Sequence, residues 1–251
     1  MKTISVTHEG SIAILRLNRG VTNPVNPECV LELIDAIDAI KADSNLRGLV
    51  LGSSNDKFLS IGFDIPELFP LSKEEFRQFY RNFNQVWLGL YTLPIPTVAA
   101  ITGHAIAAGC ILTLCCDYRV IAEGRKLMGL NEVRIGVPVP YLGDRITCDV
   151  VGIRNAREIM EGGDFYPSEK LLEMGMVDRI VPLEHVLPEA MEKVRFLASL
   201  LPEAFATVKR NRVEVVERQY LADKEERERI FVEQWYSPRT RVLLEEAMQK
   251  F

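Results

Sequence analysis

Apolar and polar positions along this chain change period repeatedly, and each change predicts an element. Ile12-Ala13-Ile14-Leu15-Arg16-Leu17 reads as a strand, and Gly48-Leu49-Val50-Leu51 as a short buried one. Between them Asn26-Pro27 supplies an N-cap and a first-turn proline. Val30, Leu33, Ile34, Ile37 and Ile40 follow at helical spacing. Ser72-Lys73-Glu74-Glu75 is a capping box opening a helix whose apolar face carries Phe76, Phe79, Phe83, Val86 and Leu90. Strands are predicted over Tyr118 to Ala122 and Val177 to Val181, with short helices around Asn155 to Met160 and Ser168 to Met174. Strand and helix signals in alternation argue for an α/β fold with parallel or mixed sheets and helical crossovers.

One stretch tests whether the chain enters a membrane. Val98 to Cys116 runs 19 residues without a charge, close to the length that spans a bilayer. Gly103 and His104 interrupt it, Pro94 and Pro96 precede it, and no basic cluster flanks it. It is read as a buried strand, Thr97 to Thr102, followed by a helix starting near Ala105.

Glycine and charge divide the chain in two. All 16 glycines lie at or before Gly175, whereas 20 of the last 51 residues are charged. A turn-rich body therefore precedes a tail of amphipathic helices. The expected division is a catalytic core over 1–195 and a helical oligomerisation region over 196–251. Helices are predicted near Val186 to Leu200, Pro202 to Leu221, Asp223 to Trp235 and Pro238 to Lys250. Phe231, Trp235, Tyr236, Val242, Leu243 and Leu244 serve either the tail's own core or a subunit interface.

Composition narrows the function. Thirty basic against 35 acidic residues give a net charge of −5, which disfavours nucleic acid as the main partner. Five cysteines without a signal-peptide pattern fit reduced thiols and a cytoplasmic setting. The vicinal Cys115-Cys116 pair reads as core packing. No P-loop, dinucleotide-binding glycine pattern or nucleophile elbow is present, and His8, His104 and His185 have no ligand spacing, so no metal site is expected.

Two segments remain for chemistry. Phe58-Leu59-Ser60-Ile61-Gly62-Phe63-Asp64-Ile65 runs from a strand end through a glycine turn into an acidic residue. Gly103-His104-Ala105-Ile106-Ala107-Ala108-Gly109-Cys110 puts small residues at a strand-to-helix junction. Such turns leave backbone N–H groups unpaired, and two brought together make a two-donor oxyanion site.

Together with Leu17-Asn18-Arg19, Cys116-Asp117-Tyr118-Arg119, Gly129-Leu130-Asn131-Glu132, Ile135-Gly136, and Met176-Val177-Asp178 before Val181-Pro182, these segments resemble the crotonase (enoyl-CoA hydratase/isomerase) superfamily over nearly the whole chain. The resemblance implies a spiral of ββα units with a C-terminal helical region that forms a homotrimer or a dimer of trimers. It implies an acyl-CoA thioester as substrate and no cofactor, with the thioester carbonyl held by the N–H groups of Phe63 and Ala108. Ile61, Gly62, Asp64, Ile65 and Asn131 are the implied substrate-binding positions, with main-chain groups of Ile61, Phe63 and Ile65 for the pantetheine and adenine. Arg19 and Lys209 are candidates for the CoA phosphates.

The resemblance also decides which proton chemistry to expect. The family's hydratases use two glutamates; one position here is Glu132 and the other is Ile111. Isoleucine moves no proton, so the two-carboxylate apparatus is incomplete. A single carboxylate suffices to carry a proton from C2 to C4 of a 3-enoyl-CoA. The chain accordingly resembles the Δ3-Δ2-enoyl-CoA isomerases of the mitochondrial type, also through Trp87-Leu88-Gly89-Leu90-Tyr91, which implies a place in fatty-acid β-oxidation. Val137-Pro138-Val139-Pro140-Tyr141 departs from the family pattern, leaving Tyr141 and Asp144 as further polar candidates. The alternatives are another enolate chemistry (decarboxylation, thioester hydrolysis or weak hydration) or a catalytically silent scaffold that binds RNA.

Overall fold

The structure is a computed structural model and describes residues 1–249. Among the described residues ten strands form two sheets. The larger contains β1 (Ile4–Glu9), β2 (Ile12–Leu17), β3 (Gly48–Ser53), β5 (Thr97–Ile101), β7 (Tyr118–Ala122) and β10 (Arg179–Val181) in that spatial order. The smaller contains β4 (Phe58–Ser60), β6 (His104–Ile106), β8 (Leu127–Gly129) and β9 (Tyr166–Pro167). Within the larger sheet only β1 pairs antiparallel; within the smaller, only β9 does. Successive strands therefore alternate between sheets, β3 to β4, β5 to β6 and β7 to β8, and each pair is followed by helix. This is the spiral of ββα units expected of the α/β chain.

The helices are α1 (Pro27–Ala42), α2 (Ile65–Leu68), α3 (Lys73–Tyr91), α4 (Ala108–Leu114), α5 (Tyr141–Gly162), α6 (Ser168–Glu173), α7 (Val186–Ala198), α8 (Pro202–Trp235) and α9 (Pro238–Met248). Their starts follow local chemistry. Asn26 Oδ1 accepts the Cys29 N–H at 2.9 Å and opens α1. In the Ser72 capping box the Glu75 carboxylate accepts the Ser72 N–H at 2.8 Å. The face of α3 then buries Phe76, Phe83 and Trp87 completely, each contributing roughly 2–3 kcal/mol.

Three expectations need correction. The helix placed near Ala105 begins at Ala108, because Ala105 pairs with Ser60 on one side and Met128 on the other as the middle of β6. The uncharged run is thus two strands and one buried helix. Pro202 to Trp235 is one helix of 34 residues, not two. The helix expected around Asn155 to Met160 extends back to Tyr141, with a break at Gly152, whose φ is 74°. The boundary at 195/196 falls inside α7, and Lys250, the expected end of the last helix, lies outside the described residues.

The tail aromatics Phe231 and Trp235 pack on the body and not on a core of their own. Trp235 stacks on Phe76 at 4.3 Å between ring centroids and Phe231 on Tyr80 at 4.1 Å. The tail therefore completes the body's core by covering α3. Lys209 anchors the same docking: it is 3% exposed and bonds Asp117 at 2.8 Å and the Ile95 carbonyl at 3.1 Å. Breaking so buried a pair costs about 3–5 kcal/mol, so Lys209 is structural and unavailable to a CoA phosphate. Arg119 pins two motif segments together, donating to the carbonyls of Met176 and Cys116 and to Asp178.

Candidate active site

A cavity of about 580 Å³ opens where the C-terminal ends of β4, β6 and β8 meet α3, α8 and α9. Its inner wall is apolar and buried, with Trp87, Phe231, Trp235 and Val137. Its mouth carries His104, Arg134, Phe165 and Glu246. Of the sequence-predicted residues, Ile61, Phe63, Ile65, Ala108, Asn131 and Glu132 line it together.

The first turn is built by hydrogen-bond alternation. Gly62 accepts the Val25 N–H at 2.8 Å and Asp64 donates to the Val25 carbonyl at 2.9 Å. In such a parallel bridge the residue between, Phe63, turns its N–H to the opposite side. That N–H has no acceptor among the described residues. Asn23, with φ 44°, fixes the strand before it by donating to the Leu59 carbonyl at 3.1 Å and accepting the Arg19 N–H at 2.7 Å.

The second turn depends on an unusual alanine. Ala107 has φ 48° and ψ −121°, a conformation that favours glycine. Its own N–H donates to Gly129 at 2.9 Å, and the reversal after it leaves the Ala108 N–H at the start of α4 without an acceptor. Alanine in place of a glycine run therefore keeps the turn. The two turns touch: a Cβ on Gly62 would lie 3.4 Å from the Ala108 nitrogen, and Gly62 itself has φ 98°. Gly109 lets α4 settle on β4, since a Cβ there would lie 2.6 Å from that of Ser60.

Glu132 opens a single 3₁₀ turn, Glu132–Ile135, at the exit of β8. It is 5% exposed, and its Oε2 has no hydrogen-bond partner among the described residues. Burial pushes its pKa from 4.5 up to about 7. A carboxyl poised there both accepts and returns a proton near neutrality.

Several other candidates do not meet in the cavity. Asp64 caps α2 by accepting the Glu67 N–H at 3.1 Å and is paired with Arg19, which also pairs with Glu67. The Asp64 side chain is thus a brace behind the turn, and Arg19 is committed to it instead of to a phosphate. Gly62 shapes the turn without lining the cavity. Tyr141 lies under the Arg227 guanidinium and Asp144 pairs with Arg145, both outside the cavity lining. Ile111 is fully buried, and its Cδ1 fills the space where a Cβ on Gly143 would sit, at 2.6 Å. Burial raises the thiol pKa values of Cys115 and Cys116, which suits packing and not nucleophilic attack.

Sequence patterns missed His104 and Trp235 as lining residues. His104 Nδ1 accepts the Leu127 N–H at 2.9 Å, which assigns its proton to Nε2. Burial, then the charges of Lys126 and Arg125, lower its pKa. Its place in the small-residue junction was the only signal. Trp235 comes from the far end of α8 and had none. Among the described residues no group of three or more His, Cys, Asp or Glu side chains is arranged to hold a metal ion.

The chain is 31% identical over 192 residues to the mitochondrial enoyl-CoA delta isomerase 1 of Mus musculus, a match covering 75% of this chain and 66% of that one. It is 30% identical over 189 residues to crotonyl-CoA hydratase of Syntrophomonas wolfei, covering 75% and 72%. The human mitochondrial Δ3-Δ2-enoyl-CoA isomerase structure superposes with a TM-score of 0.96 over 99% of this chain and 97% of that one, at 23% identity. A profile described as enoyl-CoA hydratase/isomerase matches residues 7–251, so the chain belongs to the enoyl-CoA hydratase/isomerase family.

Proposed function

We propose that the protein moves the double bond of a 3-enoyl-CoA to the 2-position, with Glu132 as the sole proton carrier. The observation that carries this reading is one buried carboxyl with a pKa near 7 in an apolar cavity, while the hydratases' second carboxylate position is Ile111 in the core. The Glu132 carboxylate takes a proton from C2, and the electrons spread over C2 to C4 and the thioester oxygen. The N–H groups of Phe63 and Ala108 hold that oxygen as it becomes negative. Glu132 then returns the proton to C4, and the 2-enoyl-CoA leaves. No cofactor enters the balance. Main-chain groups of Ile61 and Ile65, with Asn131, hold the rest of the thioester, and the reaction serves acyl-CoA degradation. A homotrimer or dimer of trimers is the assembly proposed on family resemblance, readable by light scattering.

Purified protein incubated with 3-enoyl-CoA should form 2-enoyl-CoA, and Glu132→Gln should lower kcat by at least about 100-fold. Undiminished turnover in that variant sinks the proton-carrier role. The similarity to a crotonyl-CoA hydratase favours hydration as a second reading. The same assay started from 2-enoyl-CoA separates the two, because only a hydratase yields the 3-hydroxy product.

A further inference from the structure

Among the described residues only two non-glycine residues have positive φ, Asn23 at 44° and Ala107 at 48°. Ala107 belongs to the second donor turn, and Asn23 braces the strand that enters the first. One buried residue, Ser60, touches both turns. It is 0% exposed and does not line the cavity, so it meets no substrate. Its Oγ donates to the Asn23 carbonyl at 2.7 Å and accepts the Gly62 N–H at 3.1 Å. Its Cβ and carbonyl oxygen face Gly109, where a Cβ would lie 2.6 and 2.7 Å from them.

These contacts fall on the joint that aims the Phe63 N–H. Glycine has the widest backbone freedom of any residue, and Gly62, with φ 98°, stands directly before that donor. The peptide preceding Gly62 carries its N–H, which Ser60 holds. The peptide following it carries the Phe63 N–H and the Gly62 carbonyl, which the Val25 N–H holds at 2.8 Å. With both planes pinned, φ and ψ of Gly62 are fixed, and the donor needs no reorganisation when charge develops on the thioester oxygen. Without the Ser60 hydroxyl the buried Gly62 N–H loses its acceptor, and the Val25 bond alone steadies the joint. The second donor depends on the same residue, because the Ala108 N–H directly precedes Gly109, whose backbone rests on Ser60.

Resting on the isomerase reading above, we propose that Ser60 is a positioning residue of the oxyanion site. Its hydroxyl fixes the direction of the Phe63 N–H, and its Cβ and carbonyl set the distance of that donor from the Ala108 N–H. Ser60→Ala separates the two effects, since it removes the hydroxyl and keeps the contact with Gly109.

Ser60→Ala should lower kcat on 3-enoyl-CoA about tenfold, a misaimed donor losing part of the roughly 100-fold that one oxyanion donor supplies. KM should stay within about twofold, because the lost effect belongs to the transition state. Ser168→Ala is the control. Its hydroxyl is equally buried and donates to the Ala122 carbonyl at 2.9 Å, outside the cavity lining, and its kcat should equal that of wild type. The carbonyl stretch of a bound saturated acyl-CoA, read by infrared difference spectroscopy, should fall on binding to wild type. It should recover part of the way in Ser60→Ala and not in Ser168→Ala. Wild-type kcat and carbonyl stretch in Ser60→Ala overturn the proposal, as does an equal loss in both variants. A stretch that does not move on binding to wild type overturns it too. If Ser60→Ala does not fold, Ser60→Cys, which keeps a weaker donor and acceptor, is measured in its place with the same outcomes. Failure of wild type to turn over any 3-enoyl-CoA overturns the isomerase reading alone, and the carbonyl stretch then decides the role of Ser60.

Discussion

The hydroxyl of Thr240 donates to the carbonyl oxygen of Gly136 at 2.8 Å and so fastens the terminal helix to the turn that carries Glu132. Gly136 is the left-handed cap of that turn, and Gln234 donates to the same oxygen at 3.1 Å. A Cβ on Gly136 would lie 2.9 Å from Leu243, so α9 rides directly on the turn. Removing the hydroxyl in Thr240→Val leaves one hydrogen bond of the two. Stability should fall by about 1–2 kcal/mol, and kcat on 3-enoyl-CoA by roughly tenfold with KM changed less. Thr240→Ser should restore both. Thermal unfolding alongside steady-state kinetics reads the two effects; a loss of stability with kcat intact reduces the contact to a packing role.

Ala107 holds a sparsely populated conformation that costs an L-residue about 1–3 kcal/mol, and the strain orients the Ala108 N–H. Ala107→Gly relieves it but loosens the unfolded chain by a similar amount. Its melting temperature should therefore stay level or rise slightly, with kcat/KM within about threefold. Ala107→Val places a β-branched side chain at positive φ, where it is a true outlier. That variant should shift the peptide and lose about 100-fold in kcat, the worth of one oxyanion donor.

Where local chemistry sets an element, the sequence shows it. The Asn26 cap and the Ser72 box mark α1 and α3 because the capping residues lie within a turn of the groups they satisfy. His104 to Ile106 resists such reading. An uncharged run of small residues has no period to separate strand from helix, and only pairing with β4 and β8 decides it. The break imagined near Leu221 reflects the sparse burial of α8, whose inward residues jump from Tyr220 to Glu228 and Phe231. The site divides in the same way. Its two turns stand out as small-residue segments, and Glu132 through family resemblance. Trp235 and α9 reach the cavity from about a hundred residues beyond Glu132, a distance no local pattern spans.

Burial of Glu132 has a stability consequence opposite to that of a paired carboxylate. Its folded pKa of about 7 exceeds the ordinary 4.5, so the folded state binds the proton more tightly. The neutral form's advantage is complete below pH 4.5 and is lost as pH rises through 7. The shift corresponds to about 3 kcal/mol at roughly 1.4 kcal/mol per pKa unit. Glu132→Gln, neutral throughout, should match wild type near pH 5 and exceed it by up to that amount at pH 9. Denaturant unfolding at both pH values measures the difference. In wild type kcat/KM should climb through the same interval as the base ionises, so activity and stability move in opposite directions.

Restoring a second carboxylate by Ile111→Glu is a direct trial of the missing-hydratase argument. Ile111 is fully buried on α4 and packs into the space left by Gly143 on α5, without lining the cavity. A glutamate there enters hydrocarbon and lies away from the water it would need to orient. Its carboxyl should stay protonated through neutral pH, and stability should drop by at least about 3 kcal/mol from lost packing and an unpaired polar group. Hydration of 2-enoyl-CoA should not rise above the wild-type level, whereas isomerisation through Glu132 should survive in the fraction that remains folded. A substantial gain in 3-hydroxyacyl-CoA formation would show that α4 turns position 111 into the cavity once a carboxylate occupies it. The choice of reaction would then rest on that one side chain and not on the packing around it.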